Sequence, residues 1–170
     1  MSHIERTLFI VKPDGVARGV IGKIITQLEE RGLKIVGMKL TTASRELTEK
    51  HYGDLDARLT KKGLDGAAIK QQMIDFLISG PVVAMVIEGI KAVEYVKRLS
   101  GSTYPNESDL GTIRGQFGHI TRLQANDSGR AVYNLVHASD PDEDPEREIA
   151  LWFTPDELVE YKTVHQEHTW

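Results

Sequence analysis

Thr7-Leu8-Phe9-Ile10-Val11-Lys12-Pro13-Asp14-Gly15 is the stretch from which the fold is read. Its β-branched and aromatic half suits a buried strand; proline then cannot continue a ladder, and glycine permits a turn. Downstream, Val20, Ile21, Ile24, Ile25 and Leu28 recur at the spacing of one helical face, and Gly32 supplies a left-handed stop. A helix therefore returns over the sheet. Ile35 to Leu40 reads as a second strand, and Ser44 caps a helix with Glu46 in its first turn and Leu47 and His51 on one side.

Leu59 to Asp65 reads as a loop, and Ile69, Met73, Phe76 and Leu77 as a helix broken at Ser79-Gly80-Pro81. Val82 to Ile87 is continuously apolar, so both faces of that strand should be buried; Ile90, Val93 and Leu99 mark the helix after it. Ser100 to Gly118 is a long loop carrying Arg114, and in a compact domain such loops tend to be functional. Gln124 to Gly129 reads as an exposed turn, and Tyr133 to Val136 as the last strand, leading into His137-Ala138-Ser139-Asp140. Pro145 opens a helix flanked by Asp144, Glu146 and Glu148, and Thr154-Pro155-Asp156-Glu157 opens a short final one through Tyr161. This order predicts an α+β fold, a ferredoxin-like split βαβ sandwich with a four-stranded antiparallel sheet and helices on one side.

The 170 residues, 40% hydrophobic and 27% charged, suit a single domain over 1–170 with one core. A net charge of -4 argues against a nucleic-acid partner, so phosphate recognition must come from locally placed Arg and Lys. Cysteine is absent, which excludes disulfides, thiolate zinc sites and cysteine nucleophiles. The N-terminus is polar and Val82–Ile87 is too short to cross a bilayer, so no membrane association is expected and cytoplasmic localisation is the default.

Gly19-Val20-Ile21-Gly22-Lys23-Ile24 has the wrong spacing for a glycine-rich phosphate loop, so side chains must hold any nucleotide. Lys12, Arg58, Arg114 and a basic residue near Lys97 are the candidate cations. His137 ends an apolar strand, where one ring nitrogen can face a cleft while an acceptor such as Glu148 holds the other. Imidazole so held can attack a γ-phosphorus and return the group, splitting the transfer into two steps. Taken alone, a strand-end histidine is more often a packing or capping residue, and each cation a solvated charge.

The segments together resemble the nucleoside diphosphate kinase family. The resemblance is carried by Lys12-Pro13-Asp14-Gly15, His51-Tyr52, Ser79 to Met85, Thr112-Ile113-Arg114-Gly115, Asn134 to Asp140 and Glu148 to Phe153, from Arg6 to about Tyr161. It implies γ-phosphate transfer, chiefly from ATP, to nucleoside diphosphates by a ping-pong route through His137, with Glu148 and Ser139 steering the ring. It also implies phosphate contacts from Lys12, Arg114 and Thr103, and contacts of Tyr52 and Asn134 with the γ-phosphate region or ribose. Mg2+ would bridge the phosphates, with Asp140 reaching it through water, and the chain would form homo-hexamers or homo-tetramers. Strict strand alternation places Asn134 and His137 on opposite faces, so the strand must bend or end between them.

Against the family pattern, Lys97 stands where a phosphate-binding arginine is usual, with Arg98 next to it; either one is a candidate. Tyr104 replaces an Asn or Asp. Thr60 stands where an aromatic normally stacks on the base, and Leu64 is a weak substitute. Two insertions fall within 59–79 and 118–133, both expected to be surface features. Two rival readings are a weakly catalytic regulatory relative and a split-βαβ interaction module without a nucleotide site. His51 reads as a packing residue, His3 and His119 as exposed, and His165 with His168 as a tail pair; Tyr95, Trp152, Phe153 and Tyr161 read as core or subunit contacts.

Overall fold

A computed structural model of the chain describes residues 3–142, 144–164 and 166–170. Strands β1 (Ile4–Val11), β2 (Lys34–Thr42), β3 (Pro81–Ile90) and β4 (Val136–Ala138) form one sheet in the order β2-β3-β1-β4, every neighbour antiparallel. The helices are α1 (Pro13–Ala17), α2 (Ile21–Glu29), α3 (Arg45–Tyr52), α4 (Leu55–Lys61), α5 (Gly66–Leu77), α6 (Ala92–Ser100), α7 (Ile113–Phe117), α8 (Arg122–Asp127), α9 (Pro145–Trp152) and α10 (Gln166–Thr169). This is the expected ferredoxin-like order.

Helices on one side of the sheet was the wrong expectation. Phe9 and Val11 pack with α2, α6 and α7 through Ile24, Leu28, Val96, Leu99 and Ile113, whereas Leu8 and Ile10 pack with α3, α5 and α9 through Tyr52, Ile74, Leu77, Ile149 and Trp152. Alternation along β1 and β3 supplies two apolar faces, and each needs its own cover. Burying those two sets of side chains is the main driving force for the fold, at about 25 cal/mol per Å² of apolar surface.

Several local expectations also change. The 59–65 loop is partly helical, because α4 runs to Lys61. The 124–129 turn is the end of α8, capped by Thr121 accepting from the Gln124 amide. The 100–118 loop holds a 3-10 turn, Pro105–Glu107, and α7. Ile90 belongs to β3 rather than to the next helix. The helix expected from Thr154 through Tyr161 is only the 3-10 turn Pro155–Glu157, closed by a capping box between Thr154 and Glu157. Beyond it, Trp170 donates from its indole to the Gly32 carbonyl. The 118–133 segment lies at the surface, with Ala125 its one buried residue, but 59–79 does not, since α5 gives Ile74 and Leu77 to the core. Trp152 and Phe153 are core residues; Tyr95 is exposed. His3 and His119 are exposed, and His165 lies outside the described residues.

The last strand is displaced from its expected place. It covers Val136–Ala138 rather than 133–136, so His137 sits inside it, opposite Ile10 of β1.

Candidate active site

The site is built where β1 runs into α1, and the Lys12–Gly15 turn fixes the strand that carries His137. The Lys12 amide donates to the Leu135 carbonyl (2.8 Å), and Asp14 Oδ2 accepts from the Leu135 amide (3.0 Å). Leu135 has φ +70, a left-handed conformation costing a residue with a side chain roughly 1–2 kcal/mol. The two bonds from the turn hold it there. Gly15 permits the approach: a Cβ on it would stand 2.7 Å from Val11 Cγ1 and 3.1 Å from the Leu135 carbonyl oxygen. The kink resolves the alternation conflict, because the chain turns between Asn134 and His137.

His137 shares a sheet face with Ile10, and that face is roofed by α3 and α9. Its Nε2 lies 3.2 Å from Glu148 Oε2, which also accepts from Ser139 Oγ at 2.6 Å. Glu148 comes from α9, started by Pro145 and capped by Asp144, and its side chain is 1% exposed. Burial pushes its carboxyl upward, but the hydrogen bond and charge of His137, with His51 and Ser139, outweigh that and hold it near about 2. No hydrogen bond reaches His137 Nδ1 from the described residues, and it is not among their buried unpaired atoms. With Nε2 engaged, Nδ1 is the nitrogen left available to a ligand; the side chain is 17% exposed.

Near this ring lie the cations. Lys12 Nζ donates to Asn134 Oδ1 (2.9 Å), and Asn134 Nδ2 to the Thr103 carbonyl (2.9 Å). Burial, then the nearby Arg114, and also Lys97, lower the Lys12 ammonium to about 7 against the opposing pull of Asp14. Arg114 is buried, and its guanidinium donates to the carbonyls of Asn134 (3.0 Å), Gly101 (2.8 Å), Ser102 (3.1 Å) and Val136 (2.8 Å). Four of its five N–H groups are thereby committed to backbone. It ties the 101–102 loop to the His137 strand and keeps one N–H for anything else. Burial lowers it to about 10.

Lys97 and Arg98, equivalent by sequence, separate in space. Lys97 Nζ pairs with Asp140 Oδ2 at 3.1 Å and adds to the field at Lys12. Arg98 is exposed and lines an open cleft of about 360 Å³ with Gly101, Ser102, Ser108 and Thr112, which Lys97 also borders. Arg58 pairs with Asp54 on α4 (3.3 Å), and its charge helps lower the Asp140 carboxyl after the Lys97 hydrogen bond. Tyr52 is buried against the His51 ring, and burial with Glu148 raises its phenol. Thr103 is exposed. Thr60 bonds back to Asp56 inside α4 (2.8 Å), Leu64 is exposed, and Tyr104 lies under the Arg122 guanidinium (4.5 Å).

The sequence reading missed two contributors. Asp14, inside the quoted Lys-Pro-Asp-Gly, is the clamp on Leu135. His51, read as packing, is indeed buried, but its ring stands 4.5 Å from that of His137 and its Nδ1 lies 3.5 Å from Glu148 Oε1.

For metals, His51, His137 and Glu148 offer ligand atoms within 4.8 Å of one another. That set is imidazole-rich and largely buried, unsuited to a hard ion. Mg2+ prefers oxygen ligands and keeps several waters. Asp140, half-buried at the cleft mouth with one oxygen on Lys97, fits an outer contact to such an ion held by phosphates.

Fold and site define the class: an α+β ferredoxin-like protein carrying a buried imidazole–carboxylate–hydroxyl array beneath a lysine and an arginine. The nucleoside diphosphate kinase family model matches residues 5–158. A nucleoside diphosphate kinase of Pyrococcus furiosus is 47% identical over 161 residues, covering 95% of this chain and 90% of that protein. One from Drosophila yakuba is 47% identical, with 91% of each covered. Among solved structures, a Borrelia burgdorferi nucleoside-diphosphate kinase, described as a transition state mimic with bound vanadate and ADP, is similar. It superposes with TM-score 0.90 at 36% identity, covering 97% of this chain and 96% of that one. An NDP kinase from Pyrobaculum aerophilum gives 0.85 at 39% identity, covering 92% and 100%. The chain belongs to the nucleoside diphosphate kinase family and is, by that membership, a phosphotransferase. Among the described residues no helix is long and apolar enough to cross a membrane.

Proposed function

We propose that the chain moves the γ-phosphate of a nucleoside triphosphate, chiefly ATP, to a nucleoside diphosphate in two steps through phospho-His137. One observation carries this reading: Glu148 takes Nε2 of His137 and leaves Nδ1, on a side chain 17% exposed, without a hydrogen bond from the described residues. In the first step the Nδ1 lone pair forms the bond to γ-phosphorus, the bond to the β–γ bridging oxygen breaks, and the diphosphate leaves with that electron pair. The proton on Nε2 stays on the ring and donates to the Glu148 carboxylate, whose negative charge compensates the positive charge that grows on the imidazole. In the second step a terminal oxygen of the incoming diphosphate takes the phosphoryl from Nδ1, which regains its lone pair. Lys12, Lys97 and Arg58 bind the phosphates, with the last N–H of Arg114; cations fixed before the reaction need little reorganisation as charge redistributes. Mg2+, where bound by the phosphates, would neutralise charge there, with Asp140 holding one of its waters.

The vanadate and ADP bound to the Borrelia relative support this, since vanadate imitates a phosphoryl group in transit. The reading extends to a homo-hexamer or homo-tetramer in the cytoplasm, to a single domain with insertions within 59–79 and 118–133, and to Tyr52 and Asn134 beside the γ-phosphate or ribose. Incubation of purified protein with γ-labelled ATP tests it. An acid-labile, base-stable label on wild type, absent in His137→Ala, is expected; a label that survives in that variant would overturn it.

A further inference from the structure

We propose that His51 is a positioning residue for phosphoryl transfer, gripping Glu148 through Nδ1 and blocking rotation of His137 with its ring, so that His137 Nδ1 stays open to the cleft. The proposal rests on the His137 reading above and adds the part that keeps the nucleophile aimed.

Glu148 has two oxygens, and the structure accounts for them differently. Oε2 takes both Ser139 Oγ (2.6 Å) and His137 Nε2 (3.2 Å). Oε1 faces His51 Nδ1 at 3.5 Å. Without a donor there the carboxylate could pivot about its own axis, and the His137 contact would pivot with it. His51 also stands edge-on to His137, ring centroids 4.5 Å apart and planes 76° apart. A half-turn of His137 about χ2 would put Cδ2 where Nδ1 stands and remove the nucleophile. The His51 ring, 0% exposed, occupies the space beside it that such a turn sweeps.

His51 is itself held from two sides. It occupies the last turn of α3, whose start Ser44 caps. From α9, Trp152 packs perpendicular to it at 5.8 Å, and Arg147 binds the carbonyls of Lys50 (3.0 Å) and His51 (3.5 Å). The charged and titratable groups facing it are Glu148 and Arg147 on α9, His137 on β4, Lys12 at the end of β1 and Tyr52 on its own helix. Burial first, then His137, hold His51 neutral, its imidazolium forming only near pH 3. Neutrality matters, because an imidazolium here would compete with His137 for the carboxylate.

Two tautomers are available. A proton on Nδ1 points at the charged Oε1 (3.5 Å) but leaves both the Nε2 lone pair and the Trp152 indole N–H, which otherwise donates to Nδ1 (3.4 Å), without a partner among the described residues. A proton on Nε2 lets Nδ1 accept from Trp152 Nε1 (3.4 Å) but turns its lone pair on Oε1 and strands a buried N–H. The bond to the ionised acceptor is the stronger one, which assigns the proton to Nδ1.

Two variants and one spectrum test this. His51→Phe keeps the shape and removes the donor; its kcat is expected to fall about tenfold or more with KM for ATP unchanged, the scale seen when a group orienting a reacting imidazole is removed. His51→Asn restores a donor near the Nδ1 position and should recover most of kcat. In the long-range ¹H–¹⁵N spectrum of wild type, His51 should carry its proton on Nδ1 and His137 on Nε2, and His137 should become a tautomer mixture in His51→Phe. A wild-type His51 proton on Nε2, an unchanged His137 spectrum, or a His51→Phe variant with wild-type kcat overturns the proposal. The spectrum decides even if a variant fails to fold. A wild-type enzyme that never takes label from γ-labelled ATP would instead count against the phosphohistidine reading.

Discussion

Charge is buried at both ends of the same sheet, yet the two clusters are built on opposite principles. At one end Lys34, Glu88 and Arg6 stand side by side on β2, β3 and β1 in register, with Lys34 2.5 Å and Arg6 2.7 Å from Glu88. Lys34 further donates to the Tyr161 carbonyl (2.9 Å) and sits over the Tyr161 and Trp170 rings. The carboxylate, pushed up by burial, is brought below its ordinary range by its two cations. At the other end Lys12 and Arg114 are buried near Lys97, with Asp14 the nearby anion on their own segment. With Glu160 as the second carboxylate on Arg6, one end is neutralised by its own chain, whereas at the other Lys12, Arg114 and Lys97 face only Asp14 and Asp140 and an excess of positive charge remains. A fold tolerates such an imbalance where a ligand will complete it, so the mismatch marks the site more sharply than any single cation does.

The largest expected effect breaks the neutral end. Glu88→Gln leaves Lys34 buried without its partner and should cost about 3–5 kcal/mol of stability, while activity per folded molecule stays at the wild-type level. Urea unfolding checks the first part and kcat the second; a cost under about 1 kcal/mol would mean Lys34 finds water or another acceptor. The paired Lys34→Met with Glu88→Leu should lose far less, because no charge is then stranded.

Next, Glu148→Gln should cost on the order of 3 kcal/mol at neutral pH, from a carboxyl held at about 2 in the folded chain against an ordinary value of 4.5. The sign follows from the depressed value: this stability is whole above about pH 4.5 and is lost as pH falls toward 2. Denaturant titrations across that window should therefore converge for wild type and variant at the acid end. Divergence there would sink the account.

Lys12→Met sharpens the contrast from the other side. It removes an uncompensated cation, so stability should hold or rise slightly, but kcat/KM for ATP should drop about a hundredfold, near 2.7 kcal/mol of transition-state binding. Equal loss of stability and activity would place Lys12 with the neutral cluster instead.

The smallest effect is a pH dependence. Free Lys12 is charged below about pH 7 and neutral above it, and polyphosphate should return the proton. Nucleotide binding should then take up protons between about pH 7 and 8, read by calorimetry in buffers of different ionisation enthalpy, and KM for ATP should rise across that interval. In Lys12→Met both signals should vanish.

Much of this was legible from residue order alone. The strand of Leu8 to Val11, the helix faces of α2 and α5, and the Ser44 and Pro145 helix starts depend on contacts within a few residues, which spacing and side-chain chemistry report directly. Lys12, His137 and Glu148 could be picked out because their neighbours carry a recognisable pattern. Local pattern could not reveal that helices cover both sheet faces, that Arg114 grips four carbonyls, that Lys97 and not Arg98 adds its charge at Lys12, or that His51 stands beside His137. These depend on pairings between distant segments. The kink at Leu135 is the clearest case: its amide is held by Asp14, 121 residues away in the chain. No propensity of the Leu135 neighbourhood favours a left-handed leucine, and the conformation persists only because the folded core brings that carboxylate to it.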